Sequence, residues 1–385
     1  MIILFFISIW LVEVVDSGDY RFASIEVGNN QLPIIAYGGD IYSSCSLSCA
    51  IYNGTNWNTY YIDTLPGGII SFKRNNDSLF LAYTDGTRLC LAKSYNGINW
   101  IKENTGLYLD PHDAISLDIG FGRPEIIYFS NISYSLIRTY KESGFWITDT
   151  VHKYAPGDGA GFSIDQYNIP HLTFYSFQAP IGLVHAKKIG GSWIKEQITT
   201  EGGVISSLVT QDSNRVYVLY PSSTINNPLI FAFDTSVGWN FEIIKDSAYA
   251  GIEGLVSFQN KFLCTFFNLN RTKLFFAERI YQNTWNIEIV EEGNFVMFPA
   301  IAVDSLGNPH ITYIDFTGKI KYAKRLTGIK EKRVLFYKLD IGKRFQIIDI
   351  LGRQVNSKIL KPGNYYFVNG SKQKIIIIHK FITKR

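Results

Sequence analysis

The chain has 385 residues, 15% of them aromatic, and a formal net charge of +4. That charge is placed unevenly: residues 327–385 hold 14 Lys or Arg against Glu331, Asp340 and Asp349, which leaves the rest near −7. An acidic body with the excess of positive charge confined to one end lacks the electrostatic footprint of nucleic-acid binding, and the Cys and His residues fall at no zinc-ligand spacing.

Residues 1–9 are an apolar leader with no Lys or Arg, expected to be the remnant of a truncated signal peptide or else a divergent uncleaved one. Glu13 interrupts the only long apolar run, so no membrane span is expected. Tryptophans then follow at Trp57, Trp100, Trp146, Trp193, Trp239 and Trp285, with steps of 43, 46, 47, 46 and 46 residues. A second ladder, Tyr37, Tyr83, Tyr128, Phe174, Tyr220, Phe266 and Tyr313, advances by 45 to 47. Two aromatic series sharing one period predict a tandem repeat of about 46 residues, the size of a four-stranded propeller blade.

Within each repeat, short apolar runs bounded by Gly, Asn, Asp or Pro read as strands and turns. The first strand, as in Ser24-Ile25, Ser163-Ile164 and Ile301-Ala302, is rich in small and β-branched residues, as the crowded innermost position requires. The second carries the Tyr/Phe ladder. The third ends in small residues at Ala50, Ala92, Ala186, Ala232, Ala277 and Ala323, and the fourth starts at tryptophan. After Ala323 the seventh copy lacks its tryptophan strand. Trp10-Leu-Val-Glu-Val-Val-Asp-Ser-Gly18 matches Trp285-Asn-Ile-Glu-Ile-Val-Glu-Glu-Gly293, so residues 10–18 are expected to supply it and close the ring. The predicted fold is all-β: a seven-bladed β-propeller over 10–325, closed by an N-terminal strand, followed by a small β-sandwich over 330–385.

In the tail, Phe345-Gln-Ile-Ile-Asp-Ile350, Leu360-Lys-Pro-Gly-Asn-Tyr-Tyr-Phe367 and Lys374-Ile-Ile-Ile-Ile378 read as strands, with Asn369-Gly370 a hairpin turn. Ile348-Asp-Ile-Leu-Gly-Arg353, Leu360-Lys-Pro-Gly-Asn-Tyr-Tyr366 and the closing Ile-rich strand resemble the C-terminal sorting domains of type IX secretion substrates. The first strand of such a domain is short here. The resemblance implies export to the cell surface or beyond, with the type IX machinery as a partner of the tail. The repeat itself, in Asp304-Ser-Leu-Gly-Asn-Pro-His310 and Lys321-Tyr-Ala-Lys324, is similar to sialidase-like propeller repeats of secreted bacterial proteins, which implies an architecture and no activity.

Candidate chemistry is sparse. His171 and His310 occupy equivalent positions three periods apart and read as blade consensus, and Asp118, Asp165, Asp212 and Asp304 read as turn caps. No catalytic residue, cofactor or metal site emerges, and Cys45 with Cys49 is the only local option for a disulfide. What remains is a surface. Hairpins between second and third strands should open on one face of the ring with the interblade links, presenting Tyr42, Asp85, Arg88, Tyr175, Phe177, Asn227, Arg271 and Asp315, and, from the links, Asp110, His112 and Tyr154. Aromatics beside Asn, Gln and Asp suit a glycan or a protein ligand. The reading is a monomeric, non-enzymatic exported binding propeller. Its alternatives are a sialidase-like hydrolase or lyase, with carboxylates among Asp85, Asp110, Asp113, Asp158 and Asp315, and a structural spacer of a surface assembly.

Overall fold

The computed structural model describes residues 10–326 apart from 110–114, 131, 155–158, 213–214 and 236, together with 346–349, 363–369 and 372–378. All regular elements among these residues are strands. Seven antiparallel sheets follow one another in the chain, each running from an inner strand outward, and they form a seven-bladed β-propeller. Six blades take consecutive strands. The seventh combines Phe295–Val303, Pro309–Asp315 and Lys319–Arg325 with Trp10–Ser17, the latter pairing antiparallel from Trp10 opposite Arg325 to Ser17 opposite Lys319. The predicted closure is therefore present. At this seam Gly318 has φ +80° and packs so close to the Gly18 carbonyl that a Cβ would lie 2.2 Å from it, so only glycine fits.

The aromatic ladder sits where the repeat phase puts it. Tyr37, Tyr83, Tyr128, Phe174, Tyr220, Phe266 and Tyr313 are all buried in the packed clusters between blades, as are the six third-strand alanines. In blade 3 the alanine position is Thr139, opposite Ile126, whose hydroxyl is satisfied by the Ile147 carbonyl at 2.9 Å. Every blade also carries a register shift between its third and fourth strands, for example Leu183/Val184 and Leu229/Ile230. A bulge at the same place in each sheet increases local twist, which suits the outer edge of a propeller blade.

A second regularity links blades through polar bonds. The residue three after the tryptophan is acidic in six blades, and in five of them its carboxylate accepts the indole N–H of the next blade: Glu13 from Trp57, Glu103 from Trp146, Asp149 from Trp193, Glu242 from Trp285 and Glu288 from Trp10, at 2.9 to 3.1 Å. Lys141, Lys188, Arg279 and Arg325 join four of these acids. Ladder hydroxyls repeat the device, with Tyr37 donating to Asp16 (2.7 Å) and Tyr83 to Asp63 (2.9 Å).

The four cysteines are free, so no Cys45–Cys49 disulfide forms; Cys45 Sγ instead accepts the Asp19 N–H. The chain divides into two compact units at Thr327/Gly328. In the second, Gln346–Asp349, Gly363–Asn369 and Lys372–Ile378 form a three-stranded antiparallel sheet with Gly363–Asn369 in the centre. The rest of the expected sandwich over 330–385 falls outside the described residues.

Candidate functional site

Hairpins and interblade links do share a face, because backbone bonds stitch them together: Gly39 N–H to Pro66 O, Tyr154 N–H to Tyr134 O and Phe295 N–H to Arg271 O. Tyr42 is 83% exposed there, and Phe177 stands exposed with Tyr175 edge-on to it at 5.1 Å. Arg88 lies over the Tyr108 ring at 5.2 Å and donates to its hydroxyl at 3.2 Å, while Asp85 next to it accepts from Asn104 at 2.8 Å. Arg271 lies over Tyr249 at 5.4 Å and donates to its hydroxyl. Tyr154, Asn227 and Arg271 all have positive φ (56°, 43° and 53°), which fixes their side chains on tight turns. Asp110, His112, Asp113 and Asp158 lie outside the described residues. The structure thus gathers the named side chains blade by blade, in small aromatic and polar groups.

The acids of the enzymatic alternative that are described hold turns. Asp85 Oδ1 accepts the Thr87 and Arg88 N–H groups, and Asp315 Oδ1 those of Thr317 and Lys319. Asp165 and Asp304 cap the first turn as the sequence predicts. Asp118 departs from that expectation: its Oδ2 accepts the Ile164 N–H of the next blade at 2.7 Å, so it ties two inner strands together.

A cavity lies elsewhere, on the ring axis. About 530 Å³ in volume, it is lined by inner strands of all seven blades and by first-turn residues such as Gln31 and Ser305, so it opens on the face opposite the loops described above. Its polar wall joins Glu26, Lys73 and Asp118. Lys73 Nζ lies 3.7 Å from Glu26. Glu253 comes from blade 6, whose inner strand is interrupted between Ala248–Tyr249 and Leu255–Phe258. Its carboxylate reaches across the axis to accept from Ser24 of blade 1 and from Ser71 of blade 2, the latter at 3.0 Å.

Electrostatics in this channel follow from low solvation. Burial pushes the Glu26 carboxyl up to about 7 against the pull of Lys73, with the Glu253 charge adding to the rise. Burial also raises Asp118, again opposed by Lys73. For Lys73 burial disfavours the charge, yet Glu26, Glu253 and Asp118 together raise the ammonium above its ordinary value. Sequence reasoning missed this cluster. The signal was present as Ser24-x-Glu26, Ser71-x-Lys73 and Ser116-x-Asp118, three consecutive blades with a charge on the strand that ought to be small and apolar.

Histidine reading fared as the repeat implies, with one elaboration. His171 and His310 are buried beside Asp165 and Asp304, at 3.4 and 3.7 Å. His171 continues to His185 at 3.1 Å, and His185 to Glu196 at 2.8 Å. Burial, aided by the neighbouring His185, pushes His171 down to about 4.

No family model and no curated protein matches the sequence. Solved structures do match the fold. A catalytically inactive virginiamycin B lyase from Staphylococcus aureus with quinupristin superposes with a TM-score of 0.58 at 12% identity, covering 83% of this chain and 100% of that one. The polysaccharide lyase Uly1 gives 0.52 at 10% identity, covering 82% and 91%. Aleuria aurantia lectin with alpha-methyl-L-fucoside gives 0.51 at 14%, covering 71% and 95%. At such identities the likeness establishes the propeller architecture alone.

Proposed function

We propose that this protein is an exported, non-enzymatic propeller that binds glycans. The carrying observation is the loop face, where exposed Tyr42 and Phe177 and the Arg88–Tyr108 stack stand beside polar groups already fixed by hydrogen bonds. Flat apolar rings with preorganised donors and acceptors fit sugar rings, whose faces are apolar and whose edges are hydroxylated. Lectin and polysaccharide-lyase propellers among the similar folds support a saccharide over a protein as the ligand. Binding is favoured over hydrolysis because Asp85 and Asp315 are engaged as turn acceptors. A glycan array with the full chain tests this: Tyr42→Ala, Phe177→Ala and Arg88→Ala should each weaken a hit by about tenfold or more, and no hit on any glycan would defeat it.

The same reading assigns the repeats to the sialidase-like secreted type and the tail to type IX sorting, with the cell surface or exterior as destination. Support comes from the tail's charge and its turn motifs, Leu351-Gly-Arg353 and Lys361-Pro-Gly363. Fusing residues 330–385 to a periplasmic reporter in a host with type IX secretion should move the reporter to the surface. Normal export of the ring without the tail would sink the assignment.

A further inference from the structure

The axial cavity is crossed by one acidic side chain. Glu253 leaves blade 6, crosses the axis and is held by Ser24 and Ser71 on blades 1 and 2, two and three places round the ring. All the cavity's lining runs from the level of this strut toward the first turns. Glu253 therefore stands in the path of a chain that would thread the ring, which favours entry by a terminus.

The walls are built to meet a polyol. Lys73 donates; Glu26, Asp118 and Glu253 accept; Ser163 and Thr210, hydrogen-bonded to each other at 3.0 Å, can do either. Phe162 and Phe258 add apolar surface. A volume of about 530 Å³ lies within the range of small-ligand pockets, about 300–1,000 Å³. The mouth is preorganised: the Ser305 N–H donates to Gln31 at 2.7 Å, and the Phe121 N–H to Asn168 at 2.6 Å, so neighbouring turns lock one another. Phe121, Tyr167 and Leu306 stand exposed on these same turns. Charge sets the selectivity. Glu26, Asp118 and Glu253 outnumber the two cations of the wall, and both cations are engaged, Lys73 beside Glu26 and Arg74 with Asn29 and the Asn76 carbonyl, so an incoming carboxylate gains less here than a neutral hydroxyl.

We propose that the channel is a second saccharide site, which takes the terminal residue of an uncharged glycan end-on and rejects anionic termini such as sialic acid. This rests on the glycan-binding reading and extends it to a surface on the opposite face from the loops. The test uses the full chain on neutral oligosaccharides immobilised in parallel through the reducing and the non-reducing end, beside cyclic and sialylated counterparts. Expected is binding in one orientation only, none to cyclic sugars, and at least tenfold weaker binding to sialylated ends. Asp118→Asn and Lys73→Met should each weaken the one-orientation signal at least tenfold. Thr210→Tyr, which fills the cavity without touching the charges, should abolish it at unchanged melting temperature. Binding in both orientations, equal capture of cyclic or sialylated sugars, or indifference to Thr210→Tyr in a folded protein would overturn the proposal. Sugar binding that depends on Tyr42 and Phe177 but not on these channel positions overturns it while leaving the loop-face reading standing, whereas no sugar binding at all overturns both.

Discussion

The Trp285 indole shows how single residues hold neighbouring blades. Its N–H donates to Glu242 at 3.1 Å, and Arg279 binds the same carboxylate, which is almost fully buried. Two blades depart from the pattern for identifiable reasons. Tyr60 replaces the acid in blade 1, and Trp100 turns to the Gly97 carbonyl instead. In blade 4 Glu196 is taken by His185, so the Trp239 N–H is left without a partner and its ring packs edge-on against His185. Glu242→Ala leaves the half-buried Arg279 and the Trp285 N–H without their shared carboxylate and should cost about 3 kcal/mol in chemical denaturation. Tyr60→Phe should change stability by under about 0.5 kcal/mol. Protonation gives a second expectation. With His171 held at about 4 against an ordinary 6.5, the unfolded chain binds the extra proton between those values, so this residue's contribution is complete above pH 6.5 and is lost as pH falls toward 4. Melting curves across that window should fall less steeply for His171→Gln, and identical slopes would refute the assignment.

Strands and ladders carry the stability at the next scale. Each ladder aromatic fills the space between blades, and removing it leaves a cavity the rigid sheets cannot collapse into. Tyr128→Ala and Tyr220→Ala should therefore be comparably damaging, at about 3–5 kcal/mol each by urea titration. The strand Trp10–Ser17 matters more than its length suggests, because it completes a sheet and supplies both Trp10, which donates to Glu288, and Glu13, which accepts from Trp57. Its loss removes an outer strand and two of the five indole links together. Deleting residues 1–18 should lower the melting temperature sharply or cause aggregation, and an unchanged melting temperature would contradict the closure.

At the scale of the whole molecule, the ring and the tail are separate compact units. Stability of the ring is closed on itself through the seventh blade, so a chain ending after Leu326 should keep the melting temperature of the full ring in calorimetry. A drop of more than a few degrees would show that the ring depends on the tail.

Blade number, strand phase and the closing strand were legible in the sequence because a tandem repeat writes each packing position seven times. The buried Tyr/Phe ladder and the 46-residue step needed no coordinates. Local turn chemistry was legible too, since an Asp such as Asp304 acts on backbone only four residues away. Glu253 and its partners were not, because Ser24 and Ser71 are 229 and 182 residues distant and meet it only once the ring has closed around its axis. The same holds for His185, whose competition for Glu196 depends on a neighbouring strand's register. Repetition determines the frame from sequence alone; the residues that break the repeat acquire their partners across the axis or across a blade, and only the tertiary structure decides what those are.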